Sequence, residues 1–391
     1  MTQARAGDRQ RILLVTRNLP PMRGGMERLN LHMAFELARE FDVAVIGPQG
    51  CRSVLGADFT VYEVYGKPLW RFFLGAAWTS IRVAFHWRPL AVLAGSGLAA
   101  PFAWLAAKSA GAQMAIYAHG LDLIASHPVF RWFWRPFIRR ADLCIVNSVN
   151  TASLARSIGV PAARTVILHP GVTLPHADGG EDFRERFGFG NQPLLLSVGR
   201  LIARKGLLEF VQNALPDIVR HTQDVCLVVI GDEAPELLQG NSSGLGERIR
   251  LCAAALGLAR NLRFIGPQDD ATLAGAYAAA NVHVFPVRDT PGDVEGFGMV
   301  AVEAAAYGLP TVAFAVGGVP DAVADGVSGD LVEPGNYGEM ARRVIARLSD
   351  TEGRAQSGLK IREFARRFTW DEFGTRARDL FRSLCRQDAR G

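Results

Sequence analysis

Several things are scarce in this sequence, and each scarcity removes a class of protein. It has no low-complexity tract and no short-period repeat, which removes disordered arrays and solenoids. Its cysteines, Cys51, Cys144, Cys226, Cys252 and Cys385, are odd in number, scattered and without a CxxC pair. They read as small buried hydrophobes in a reducing compartment rather than as a disulfide framework. Residues 1–10 are polar and the apolar run 12–15 is strand-sized, so no secretory signal is expected and a cytoplasmic protein is. Long apolar runs are equally rare. Residues 89–107 carry no charge and approach the roughly 20 residues a bilayer demands, but Gly95, Ser96, Gly97 and Pro101 interrupt them. A buried strand at 91–94, a turn and a helix is the expected outcome. Acid is nearly missing between residues 64 and 141, where nine Lys or Arg face one Asp122, and where six of the seven tryptophans fall.

What remains is an ordinary globular composition, 49% hydrophobic and 21% charged over 391 residues with a formal charge of +5. That length favours two domains. Short apolar runs alternate with helical patterns, the signature of βαβ units and parallel sheets. Strands are predicted at 11–16, 43–46, 59–64, 91–94, 114–118, 143–146 and 165–168. A glycine-rich, charged stretch at 176–192 reads as a linker. A second series follows at 194–198, 225–230, 262–265, 282–285 and 311–315. The fold class is therefore α/β with two Rossmann-like domains, an N-terminal one over 1–180 and a C-terminal one over 190–365. The tail, 370–386, has helical spacing in Phe373, Leu380, Phe381 and Leu384 and is expected to pack back on the first domain.

In doubly wound sheets ligands collect beyond the carboxyl ends of strands, and the chemistry-bearing residues cluster there. Gly24 and Gly25 follow the first strand and precede an amphipathic helix, where backbone N–H groups and the helix dipole suit an anion; a plain strand-to-helix turn fits equally, and Glu27 then complements the dipole. Arg200 follows the strand 194–198 directly and Lys205 stands five residues on. A planar fork and a mobile point charge together can neutralise a departing diphosphate without a metal. In DVEGFGMVAVEAAAYGLP, Glu295 and Glu303 are separated by seven residues, with Gly296, Phe297 and Gly298 leading into an apolar helix. A carboxylate on such a helix needs partners, either the paired donors of a vicinal diol or a basic side chain. Gly317 and Gly318 form a further turn where backbone can approach a ligand. Acidic pairs Asp293/Glu295 and Asp269/Asp270 are of the kind that hold Mg²⁺, but neither has a third ligand in the sequence, and no metal is expected.

Four motifs in order, Gly24-Gly25-Met26-Glu27, His119-Gly120, the run from Ser197 to Lys205 and the segment from Glu295 to Pro320, resemble glycosyltransferase family 4, the retaining GT-B family. The resemblance implies two domains facing across a cleft and a nucleotide diphosphate sugar, UDP- or GDP-linked, as co-substrate with no cofactor. It implies that Arg200 and Lys205 bind the donor diphosphate, that Glu303 binds the ribose and Glu295 the transferred sugar, and that Gly296, Phe297 and Gly298 line the donor site. Gly24 and Gly25 then lie near the distal phosphate and the acceptor, and His119 beside the donor sugar. Two places depart from the family pattern, Gly231-Asp232-Glu233-Ala234 after the strand 225–230 and His169-Pro170-Gly171-Val172. Both bear on donor identity more than on the reaction.

The basic, aromatic stretches KPLWRFFLGAAWTSIRVAFHWRP and PVFRWFWRPFIRR suit an anionic membrane surface, where rings sit at the headgroup boundary and cations meet lipid. A dimer interface, single-stranded nucleic acid and plain core compete with that reading; no nucleic acid is expected. The resemblance implies a hexosyltransferase that extends a glycan or lipid-linked acceptor, in cell-surface polysaccharide or lipopolysaccharide synthesis, peripheral on the inner face of the membrane. The alternatives are a nucleotide-sugar epimerase on the same fold and a non-catalytic binding protein.

Overall fold

Parallel strands buried on both faces read as unbroken apolar runs, and this chain assembles such runs into two sheets. The computed structural model describes residues 9–22, 24–125, 127–175, 179–233, 244–350 and 353–388. It divides into two compact units, Met1–Gly171 with Trp370–Gly391, and Val172–Thr369.

The first unit holds β1 (Arg11–Val15), β2 (Asp42–Pro48), β3 (Thr60–Val64), β4 (Ala91–Ala94), β5 (Gln113–Ala118), β6 (Leu143–Val146) and β7 (Thr165–Ile167). All pair in parallel in the order β3-β2-β1-β4-β5-β6-β7. Strand order reverses between β1 and β4, where Ile12 aligns with Ala91, and in doubly wound sheets such a reversal is where ligands bind. Five helices concern the argument: α1 (Gly25–Ala38), α2 (Leu69–Trp87), α3 (Ala100–Ala110), α4 (Gly120–Ile124) and α5 (Arg135–Arg139), the last entered through a π-helical turn, Phe130–Trp134. The uncharged stretch 89–107 is thus β4, a turn and most of α3. No helix among the described residues is long and apolar enough to cross a membrane.

The C-terminal helix, Trp370–Asp388, lies along α1. Arg378 reaches Glu36 at 2.5 Å, Arg382 reaches Glu40 at 2.8 Å, and the Trp370 indole stacks on His32 with centroids 3.7 Å apart. Gly374 sits where the helices touch, since a Cβ there would come within 2.0 Å of the Glu36 carboxylate.

The second unit holds β8 (Leu194–Val198), β9 (Cys226–Ile230), β10 (Leu262–Gly266), β11 (Val282–Phe285), β12 (Thr311–Phe314) and β13 (Gly329–Val332), in the order β10-β9-β8-β11-β12-β13 and again all parallel. Alternate residues fill opposite layers. Leu195, Leu227 and Val229 belong to one core, Leu194, Leu196 and Val228 to the other.

Two features differ from the sequence expectations. The stretch 176–192 is not a free linker: residues 176–178 lie outside the described residues, but Gly180–Phe187 forms α6, whose Phe183 is buried with Phe189 against α7 (Asp270–Ala279). Gly180 permits that approach, because a Cβ would fall 2.9 Å from the Ala278 carbonyl carbon. The edge strand β13 escapes a reading by hydrophobicity because it carries Asp330, which is buried and held by Arg347 at 2.7 and 3.0 Å. Of the five cysteines, four are buried and Cys252 is half-buried.

Candidate active site

In the second unit the sheet order reverses between β8 and β11, and the residues just past both strands form a tight cluster. Gly199 turns the chain with φ +138°. Gly206 pins the helical turn Ala203–Lys205 to the loop after β11, because a Cβ on Gly206 would lie 2.0 Å from the Pro286 carbonyl oxygen. Lys205 is thereby aimed across the crevice. Its Nζ is 2.7 Å from Glu295 Oε2 and 4.7 Å above the Phe285 ring. Arg200 stays exposed, and a cavity lined by Gly199, Arg200, Lys205, Phe285 and Pro286 lies at this strand end.

Arg204, which sequence reasoning passed over in favour of Arg200 and Lys205, is the buried centre of the cluster. Its guanidinium donates to Glu295 through Nη1 and meets Asp293 Oδ1 through Nε at 2.9 Å. The carboxylate pair that resembled a metal site is therefore engaged by a fixed cation. The other acidic pair is engaged as well, since Asp269 caps α7 by accepting from the Thr272 backbone N–H at 2.7 Å. No group of three or more metal-ligating side chains is placed together among the described residues.

Burial would raise the Glu295 carboxyl, but Lys205 and Arg204 overcome it and bring the group down to about 2. Burial pushes the Lys205 ammonium below its usual value; Glu295 opposes this, and Arg204 and Arg200 add to the lowering. The Arg204 guanidinium is held above its ordinary value despite burial by Glu295 and Asp293. The result is a carboxylate ionised at neutral pH and flanked by cations, a strong hydrogen-bond acceptor and a weak base.

The remaining residues of the third motif separate into different roles. Gly298, with φ +101°, starts α8 (Met299–Ala306), and Glu303 on that helix is buried and accepts from the Tyr277 hydroxyl at 2.9 Å. Phe297, expected at the donor, places its ring in the core against Phe368, so any contact it makes with a ligand is through its backbone. Gly317 and Gly318 serve the protein's own packing. A Cβ on Gly318 would meet the Gly296 carbonyl oxygen at 2.0 Å, and the Gly318 N–H donates to the Glu295 carbonyl at 2.8 Å. These glycines lock the Glu295 loop in place.

In the first unit a largely neutral cluster sits at the corresponding reversal, between β1 and β4. The buried Asn30 amide donates to Thr16 Oγ1 at 3.3 Å, the Asn18 carbonyl at 3.1 Å and the Gly95 carbonyl at 3.2 Å. Glu27 is buried and accepts from Asn18 Nδ2 at 2.9 Å, so it does more than balance a helix dipole. Gly24 is extended, and a Cβ there would come within 2.4 Å of Glu27 Oε2; Gly25 opens α1. His119 is buried at the end of β5, and its backbone N–H donates to Asp122 Oδ2 at 3.0 Å. Burial lowers the imidazole, opposed by Asp122, the Gly95 carbonyl and Glu27. Three buried polar atoms in this cluster have no partner among the described residues: His119 Nε2, Asn30 Oδ1 and Ser96 Oγ. Sequence reasoning missed Asn30, Tyr277 and Arg204 alike, because an Asn, Tyr or Arg at helical spacing carries no mark of its partner.

Two Rossmann-like units with a cation–carboxylate cluster at one strand reversal define a GT-B glycosyltransferase that uses a nucleotide sugar. Comparison with known proteins agrees. The model of glycosyl transferases group 1 matches residues 180–364 and that of Glycosyltransferase Family 4 matches residues 23–175. The chain belongs to glycosyltransferase family 4. It is 30% identical, over 94% of its own length and 97% of the other's, to the GDP-mannose-dependent alpha-(1-6)-phosphatidylinositol monomannoside mannosyltransferase of Mycolicibacterium smegmatis. It is 33% identical, over 63% of its length and 54% of the other's, to the D-inositol 3-phosphate glycosyltransferase of Streptomyces bingchenggensis. Among solved structures, Anabaena Alr3699/HepE in complex with UDP superposes with a TM-score of 0.79 at 20% identity, covering 96% of this chain and all of that one (100%). WaaG, a glycosyltransferase involved in lipopolysaccharide biosynthesis, superposes at 0.69 with 19% identity, covering 94% and 99%.

Proposed function

We propose that this chain is a retaining, metal-independent hexosyltransferase that moves a sugar from a nucleoside diphosphate, GDP or UDP, to a lipid-linked or glycan acceptor of the cell surface. The observation that carries the reading is the Arg204–Glu295–Lys205 cluster beside Arg200. As the anomeric C–O bond breaks, negative charge grows on the diphosphate and positive charge on the sugar. Lys205 has ammonium hydrogens beyond the one given to Glu295, and with the Arg200 fork they stabilise the departing phosphate without a metal ion. Glu295, held well below the usual carboxylate range, is a poor base and nucleophile and a good acceptor for sugar hydroxyls. Glu303 accepts from the ribose diol beside Tyr277. Same-face attack, with the departing phosphate taking the acceptor proton, is then the route. The full-length likeness to a GDP-mannose-dependent enzyme acting on a phosphatidylinositol glycolipid supports a GDP-linked hexose and a lipid-borne acceptor. The basic, aromatic face of the first unit supports a peripheral place at an anionic membrane on the cytoplasmic side.

The test is transfer from GDP-mannose and from UDP-glucose to a membrane lipid extract, with the product anomer read by NMR and the assay repeated in EDTA. Transfer with retained configuration that survives EDTA is expected. An inverted product, a trapped covalent glycosyl-enzyme or full loss in EDTA with rescue by Mg²⁺ would each overturn its part of the reading. Epimerised donor formed without acceptor would replace it.

A further inference from the structure

The amino ends of β5, β6 and β7 lie at the opposite end of the first sheet from His119, and a second cavity opens there. Its volume is about 450 Å³, within the range of ligand pockets. Trp104, Lys108, Arg139, Arg140, Asp142 and Arg164 line it. Four cations thus face one carboxylate, and that carboxylate is already used, accepting from the Met114 backbone N–H at 2.8 Å. None of the four cations is in an ion pair among the described residues; Arg140 instead lies over the rings of Trp104 and Phe137, at 5.9 and 5.8 Å. Like charges gathered without counter-charges are unfavourable unless an anion joins them.

The cavity is continuous with an apolar ridge. Trp104 meets Phe137 at 5.3 Å, Phe137 meets Phe133 at 5.5 Å, and Phe133 is exposed beside Trp132, which is 83% exposed. Trp134 of the same π-helical turn meets Phe73 of α2 at 5.3 Å. On α2 the residues Trp70, Leu74, Trp78 and Phe85 share one face by spacing, and all are exposed. Monomeric soluble proteins rarely leave large apolar patches of this kind uncovered. An apolar ridge running into a cationic pocket matches the two halves of an anionic amphiphile.

We propose that this cavity seats a phosphate headgroup of an anionic bilayer, with Lys108, Arg139, Arg140 and Arg164 around the phosphate and the Trp132–Phe133 ridge among the acyl chains. The inference rests on the peripheral membrane reading above and gives that surface a discrete lipid site. The test uses the full chain in flotation with vesicles of phosphatidylcholine alone and of equimolar phosphatidylcholine and phosphatidylglycerol. Calorimetric titration with dihexanoylphosphatidylglycerol and with inorganic phosphate accompanies it. The wild-type chain is expected to float with the anionic vesicles only and to bind the short-chain lipid at one saturable site. Lys108→Ser/Arg140→Ser/Arg164→Ser, all exposed positions, is expected to lower vesicle affinity at least about tenfold, since each cation near such a surface is worth about fivefold, and to abolish the saturable site. The charge-matched Arg220→Ser/Arg248→Ser/Arg260→Ser is expected to change neither. Unchanged flotation and lipid binding in the first variant overturns the cavity assignment and leaves the membrane reading standing. No flotation of the wild-type chain overturns both. Inorganic phosphate binding as tightly as the short-chain lipid, without flotation, makes the cavity a site for soluble anions and overturns the lipid assignment.

Discussion

The two sheets reverse their strand order in the same way, yet the side chains beyond the reversal differ in kind. Past β8 and β11 the chain places Arg204, Lys205, Asp293 and Glu295, ionised groups that neutralise one another before any ligand arrives. Around the ends of β1, β4 and β5 it places Thr16, Asn18, Ser96 and His119, with Asn30 from α1, mostly neutral and with several polar atoms unpartnered among the described residues. One scaffold thus supplies a preorganised charge field and, separately, a set of hydroxyl-sized hydrogen-bonding positions. The difference teaches that the strand reversal fixes where a ligand goes, while the chemistry is decided by the loops grafted there.

This contrast can be broken by experiment. Arg204→Met leaves two carboxylates without their buried partner, and the second unit is expected to lose about 3 to 5 kcal/mol of stability, read from the urea midpoint. Lys205→Ala removes a charge that matters most as the donor bond breaks. It is expected to lower turnover about 10²- to 10³-fold, or roughly 2.7 to 4 kcal/mol, with donor KM changed far less. Asn30→Ala deprives three acceptors, two of them buried, of their donor and is expected to cost about 1 to 3 kcal/mol. If it costs more than Arg204→Met, the neutral cluster is the stiffer one and the contrast fails.

The smallest effect is the acid limb of stability. His32 is lowered to about 4 and His283 to about 3, chiefly by burial, so the folded chain binds fewer protons than the unfolded one below pH 6.5. Stability therefore falls as pH drops below 6.5. The His32 contribution to the first unit levels off near pH 4. In the second unit the loss continues, because His283 protonates near 3 and the Glu295 contribution, present above its usual 4.5, disappears as pH falls through about 2. Acid unfolding followed by tryptophan fluorescence, which reports the first unit since all tryptophans lie in it, should flatten before far-UV circular dichroism does. His32→Phe should reduce the fluorescence slope between pH 6.5 and 4, leaving the part due to the buried His119.

Much of this was legible in the sequence because strands buried on both faces leave apolar runs, and twelve of the thirteen described strands coincide with such runs. The exception is β13, whose Asp330 is matched only by Arg347 seventeen residues on. The helix Gly180–Phe187 reads as a linker because what fixes it is the backbone of Ala278 and Ala279, invisible from the local composition. Arg200, Lys205 and Glu295 were picked out by residue type at strand ends, and the pairing of Lys205 with Glu295 joins two of them. Arg204 was not, because a buried arginine differs from a solvated one only through Asp293 and Glu295, some ninety residues away. Glycines 317 and 318 read as a turn where backbone can approach a ligand, and their missing side chains also make room for the Glu295 and Gly296 carbonyls.

The first unit is discontinuous, and this sets the order in which the newly made chain can finish. Residues 172–369 contain every strand of the second sheet and emerge from the ribosome as one piece. The earlier sheet must wait with His32, Glu36 and Glu40 uncovered until Trp370, Arg378 and Arg382 are synthesised. The half made first is therefore the half completed last, and a truncated chain ending before Trp370 would expose the face of α1 where a holdase chaperone has its opening.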